Sequence, residues 1–215
     1  MRELIGLRRA GEHALRQLAP SGALRVLADA LTEDPLPPST SDEAIDATIL
    51  FVDIEGFSDH VARTGDDAAS RVLDLLDRAV ADAIAGTSCR VVKRLGDGVM
   101  VATEDPGDGV SAAAAMPRRF AELVAAEGVG LRLRAGSHRG VVRRRGDDLI
   151  GYHVNVAARV AERASGGATL ITGALRDSVQ LAPALRADPA GRLVAKGVPE
   201  RPRLYEIVHV APAAT

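Results

Sequence analysis

The chain has 215 residues, 47% hydrophobic and 26% charged, with a formal net charge of −2, which suits one good-sized domain plus an appendage. That charge excludes a general electrostatic grip on nucleic acid or anionic lipid, and an aromatic content of 2% with no Trp excludes base-stacking platforms. A single cysteine, Cys89, excludes an internal disulfide and a cysteine-based zinc cluster; no run reaches the length of a membrane span, so the expectation is a cytoplasmic, soluble protein.

In chain order, residues 3–18 (ELIGLRRAGEHALRQL) and 21–31 (SGALRVLADAL) show helical spacing, the second opening on Ser21 as an N-cap. This N-terminal helical segment, 1–31, is followed by a linker over 32–46, which begins TEDPLPPST and is rich in proline and acids. The main domain is expected over 47–210. ATILFVD (47–53) is apolar on both faces and predicts a buried strand. Residues 66–86 predict a helix with Val72, Leu75, Leu76, Ala79, Val80 and Ala83 on one side. VVKRLGDGVM (91–100) reads as two strands joined by a turn at Gly96-Asp97-Gly98, within a hairpin over 89–103. A helix from near Asp108, a strand over 131–142, a helix over 152–165 and a strand over 168–172 follow. Residues 192–196 and 203–208 are expected to close the sheet as a pair. Strands interleaved with helices, including a hairpin, predict an α/β sandwich built on a mixed, mainly antiparallel sheet.

Asp53 ends the first strand, directly before Ile54-Glu55-Gly56-Phe57, where glycine lets the backbone turn into a helix. A carboxylate there sits at the rim of the sheet, and open N–H groups over 54–58 suit phosphate oxygens. If the hairpin lies beside this strand, Asp97 reaches the same rim, and the two carboxylates form a Mg²⁺ site completed by substrate phosphates. Taken singly, each has a plain alternative, Asp53 as a cap and Asp97 as a turn residue. Lys93, a long cation among apolar residues four positions before Asp97, has no such simple account beyond reaching out from an edge strand. Asn155 and Arg159 lie one turn apart among Val154, Val156, Ala157 and Val160, which favours both pointing into a cleft or interface. Arg143-Arg144-Arg145 with Gly146 is expected as a solvated loop tip, Cys89 as a small core residue, and the five histidines have no ligand-like spacing.

Four segments in sequence, FVDIEGF, KRLGDGVM, LRAGSHRGVV and DDLIGYHVNVAARV, resemble the successive motifs of the class III nucleotide cyclases, the adenylyl and guanylyl cyclase catalytic domain, across roughly residues 47–208. The resemblance implies a palm-like, ferredoxin-like fold and a homodimer with its sites between the two chains. It implies that Asp53, the Ile54 backbone and Asp97 hold two divalent metal ions, Mg²⁺ or Mn²⁺, and that Gly56 and Phe57 open the phosphate-receiving turn. It further implies adenine recognition by Lys93 and Asp148, ribose contact by Asn155, transition-state contact by Arg159, and phosphate contact by Arg134 and Lys196. The implied activity is conversion of ATP to cyclic AMP and pyrophosphate. The alternative is a nucleotide-binding regulatory module of the same fold that is idle or depends on a partner. A diguanylate cyclase is disfavoured, because the turn reads Gly-Asp-Gly and no GGDEF run is present.

Overall fold

The computed structural model describes residues 43–210. The helices expected over 3–18 and 21–31, and most of the linker, lie outside the described residues. Strand β1 (Glu43–Glu55) is longer than the apolar run that predicts it and starts inside the stretch read as linker. Its first residues pair with the basic end of a distant strand, with Glu43 opposite Arg144 and Asp46 bonded to Arg139 at 3.0 Å. Opposite charges across a ladder thus extend a strand that hydrophobicity alone would stop at Ala47.

Gly56, with φ 75°, turns β1 into helix α1 (Phe57–Thr64), and α2 (Asp66–Ile84) follows. The hairpin is β2 (Arg90–Leu95) and β3 (Gly98–Thr103), turning at Gly96 with φ 71°. Helix α3 (Pro106–Ala126) is capped by Asp105, whose Oδ1 accepts from the Asp108 N–H at 2.9 Å. Strands β4 (Arg132–Arg145) and β5 (Asp148–Ile150) form a second hairpin. Helix α4 (Tyr152–Arg163), strand β6 (Thr169–Thr172), the short helix α5 (Gly173–Asp177), β7 (Leu185–Arg192) and β8 (Arg203–His209) complete the order.

Among the described residues the sheet runs β2-β3-β1-β4-β6-β8-β7, with β5 attached to β4, and β4–β6 is its parallel pair. It is the expected mixed, mainly antiparallel sheet flanked by helices. On one face, Leu50, Val52 and Ile54 of β1, Leu133 and Ala135 of β4, and Val99 and Val101 of β3 pack on α2 and α3 around buried Phe120 and Leu76. Burying each of the valine, leucine, isoleucine and phenylalanine side chains among them contributes about 1.5–3 kcal/mol. The opposite face carries the alternate residues Ile49 and Phe51 of β1, Met100 of β3 and Val142 of β4, packed beneath α4 and the β4–β5 hairpin.

Helix α4 comes very close to β4. A Cβ added at Gly136 would lie 2.0 Å from the Ala161 nitrogen, and one at Gly140 would lie 2.4 Å from the His153 ring. Glycines at alternate positions of the strand therefore let a helix rest on its backbone.

Two expectations are corrected. The partner of β8 is β7, not residues 192–196: Leu185–Arg192 reads poorly as a strand because LRADPAGR contains proline and glycine. Both are tolerated at a sheet edge, where Pro189 sits beside a bulge and Gly191 takes φ 84°. Leu193 and, beyond that stretch, Val198 are instead buried from the loop between β7 and β8, while Val194 is exposed. The arginines 143–145 form the end of β4 rather than a loop tip, paired with Asp148–Ile150; the turn is Gly146-Asp147.

Candidate active site

One end of the sheet gathers the acidic pair. Asp53 and Gly98 are register partners, and the Ile54 N–H donates to the Asp97 carbonyl at 3.3 Å, so the β2–β3 turn is tied to the end of β1. Burial, and then the neighbouring negative charge of Asp53, push the Asp97 carboxyl above its usual range. Arg134, opposite Asp53 in the β1–β4 ladder, donates from Nε at 2.9 Å and from Nη2 at 2.5 Å to Asp53 Oδ2. The expected phosphate-side arginine thus rests on a carboxylate. Helix α1 begins one residue beyond Gly56 with no side-chain cap, which leaves its first N–H groups toward the same end. Phe57 packs against the core and fixes that start.

The second group lies on the face of the sheet below α4. Lys93 is the register partner of Met100, so it projects to that face. Its Nζ is 2.7 Å from Asp148 Oδ2 at the start of β5. Asp148 Oδ1 accepts from the Leu149 N–H at 2.7 Å, which orients the carboxylate. Lys93 therefore pairs with Asp148, not with Asp97.

Asn155 and Arg159 stand on the outer side of α4, whose inner side is Val156, Ala157, Val160 and Ala161. Asn155 is exposed, and Arg159 donates to both oxygens of Glu162 at 2.6 and 2.7 Å. Lys196 is exposed on a turn between Ala195 and Val198, with Gly197 at φ 82°. That loop is tied to α4 where the Tyr152 hydroxyl donates to Glu200. Among the described residues, Asn155, Arg159 and Lys196 bond neither to the Asp53–Asp97–Arg134 group nor to Lys93–Asp148. The single chain thus assembles two clusters and leaves three polar residues facing outward.

Sequence reasoning missed the histidines. His138, buried on β4, bonds Thr172 Oγ1 through Nδ1 at 2.7 Å and His153 Nδ1 through Nε2 at 2.8 Å; the two rings stack 5.0 Å apart. Burial, then the neighbouring His153, hold His138 down at about 4. The available signal was the alternation Gly136, His138, Gly140, a small–large–small face awaiting a helix.

Residues 40–208 match the family model for the adenylate and guanylate cyclase catalytic domain. The chain belongs to that family. An adenylate cyclase of Streptomyces griseus is 31% identical over 126 residues, covering 59% of this chain and 31% of its own length. This chain thus spans about a third of the length of the curated Streptomyces relatives it matches. The crystal structure of the adenylyl cyclase CyaB from P. aeruginosa aligns with a TM-score of 0.69 at 21% identity, over 80% of this chain and 98% of that one. The guanylyl cyclase Cya2 aligns at 0.66 and 19%, over 81% and 97%. At these identities the two structures bear on fold alone, and they agree with the sheet and its flanking helices. Because one is an adenylyl and the other a guanylyl cyclase, the base read by this cyclase domain has to be argued from its own residues.

Proposed function

We propose that this cyclase domain converts ATP to 3′,5′-cyclic AMP and pyrophosphate at sites shared between two copies of the chain. The observation that carries the choice of base is the Lys93–Asp148 pair at 2.7 Å. Adenine presents an acceptor at N1 and a donor at its N6 amine, which Lys93 and Asp148 match as donor and acceptor. Guanine presents N1–H and O6, the reverse, and a mismatched polar pair costs on the order of 10²-fold in discrimination.

The residues at the rim fit divalent cations. Burial first, and then the charge of Asp53, disfavour the ionised form of Asp97, both of which a bound cation would offset, and the Ile54 N–H donates to the Asp97 carbonyl. Among the described residues there is no cluster of three or more His, Cys, Asp or Glu, so substrate phosphates and water would supply the remaining ligands. Two bound Mg²⁺ or Mn²⁺ ions would lower the pKa of the ribose 3′-hydroxyl and neutralise the triphosphate. Arg134, Lys196 and the N–H groups beyond Gly56 would hold phosphate oxygens. Asn155 would orient the ribose. As the 3′-oxygen bonds to the α-phosphorus and pyrophosphate leaves, Arg159, turned from Glu162, would stabilise the charge spreading over the phosphate oxygens. Asp53 or water would take the hydroxyl proton.

The shared-site reading is supported by what the single chain leaves outward. Val91, Leu95, Ile150 and Tyr152 are large apolar side chains between 38% and 46% exposed, on the elements that carry Lys93 and Asp148 and at the start of the helix that carries Asn155. Such residues suit a face covered by a second copy. No described helix is long and apolar enough to cross a membrane, and an ATP-dependent reaction beside a half-buried free Cys89 suits the cytoplasm.

The test is incubation of the purified chain with ATP or GTP and with Mg²⁺ or Mn²⁺, followed by chromatography. Cyclic AMP and pyrophosphate, formed in preference to cyclic GMP, are expected. Unchanged nucleotides with both metals would overturn the activity, and equal use of GTP would overturn the reading of the base.

A further inference from the structure

Arg134 places two donors, Nε at 2.9 Å and Nη2 at 2.5 Å, on one oxygen of Asp53, and leaves the other oxygen out of the pair. That second oxygen, Oδ1, faces Gly98: a Cβ there would stand 3.5 Å from Oδ1 and 2.9 Å from the Val52 carbonyl. Glycine at 98 therefore keeps the approach to Oδ1 clear while the guanidinium closes Oδ2. The pair is only partly exposed, 27% for the arginine and 30% for the aspartate, so solvent screens it incompletely. The arginine is also fixed in place by the backbone, because Asp53 and Arg134 are direct partners in the β1–β4 ladder.

We propose that Arg134 is an exchangeable counter-cation for Asp53: in the nucleotide-free chain it occupies Oδ2 and limits the carboxylate to one divalent ion at Oδ1, and it leaves only when nucleotide phosphates offer it a new partner. The inference rests on the metal-site reading above and adds an order of events to it. A carboxylate meant to serve two ions needs both oxygens, and a guanidinium on one of them repels the second ion as well as blocking it. Triphosphate oxygens present the same forked geometry to a guanidinium as a carboxylate does. The exchange moves one charge a short distance and breaks no covalent bond. Its consequence is that occupancy by the second ion and by the nucleotide are linked, each favouring the other by the same factor.

The experiment measures Mn²⁺ binding to the full chain by electron paramagnetic resonance, without nucleotide, for wild type, Arg134→Gln and Asp53→Asn. A parallel set contains the non-cyclisable α,β-methylene analogue of ATP. Removing the guanidinium is expected to tighten nucleotide-free Mn²⁺ binding about fivefold or more and to weaken binding of the analogue by a similar factor. Arg134→Lys keeps the charge but cannot set two N–H groups on one oxygen, so it is expected to fall between the two. It also serves as the test if the glutamine variant fails to fold. If Asp53→Asn weakens Mn²⁺ binding while neither Arg134 variant tightens it, the exchange is wrong and the metal site stands. If Asp53→Asn changes nothing, the ion binds elsewhere and the metal-site reading falls together with the exchange.

Discussion

Lys93 and Asp148 are each about two-fifths exposed, 39% and 41%, and a pair so open to water contributes well under about 1 kcal/mol to folding. Stability alone therefore gives little account of its geometry, which is in keeping with the proposed reading of the base. Exchanging both, Lys93→Glu with Asp148→Cys, is expected to leave the melting temperature nearly unchanged while reducing ATP use and raising relative GTP use. An unaltered ratio of the two products would mean the base is read elsewhere. His138 makes the opposite case, a buried group whose protonation state matters to the fold. It protonates near its ordinary 6.5 in the unfolded chain but only near 4 when folded, so the unfolded state takes up the proton first on acidification. The neutral ring's contribution is fully present above about pH 6.5 and is lost as pH falls toward about 4, up to roughly 3 kcal/mol. Urea unfolding of wild type and His138→Gln at about pH 7.5 and about pH 4.5 should show the stability gap narrowing in acid. A gap that is constant with pH would mean the ring is not held neutral.

At the level of elements, the β4–α4 contact is the most exacting. Gly140→Ala would drive a methyl into the His153 ring and is expected to destabilise by about 1–3 kcal/mol. His153→Ala should relieve most of that, so the double variant is expected to be markedly less unstable than the two single losses added together. Additive losses in urea unfolding would show that the strain lies in the backbone instead. The contact also marks where the sequence stops being legible. Elements with strong periodicity, such as α2 with Val72, Leu76, Ala79 and Val80 buried, were readable from spacing alone. So were the β2–β3 hairpin, from its glycines, and the rim position of Asp53 and Asp97. What depends on long-range pairing was not readable: β1 starting at Glu43 against arginines about a hundred residues away, or the edge strand β7, whose Pro189 speaks against a strand until a neighbour is known on one side only. The His138–His153–Thr172 network was hidden for the same reason, since it joins β4, α4 and the end of β6.

For the molecule as a whole, the proposed shared site would bring the metal end of a second copy to the outward-facing Asn155, Arg159 and Lys196. Mixing inactive Asp53→Ala chains with inactive Asn155→Ala chains tests this. A mixed dimer has one site with both lesions and one with neither, and random exchange makes half the dimers mixed. Activity should therefore return to roughly one quarter of wild type. If exchange is verified and the mixture stays inactive, the shared-site reading is wrong. The bond between Lys93 and Asp148 then acquires a broader meaning. It joins two hairpins of the same chain, 55 residues apart, so the proposed base-reading pair would be complete within each copy. The metal carboxylates of that same copy would serve the other site. Nucleotide preference would thus be a trait inherited chain by chain, separable from the ions it works with. A dimer of wild-type and base-exchanged chains would carry one site for each nucleotide, and two differing genes for such chains could yield an enzyme answering to both.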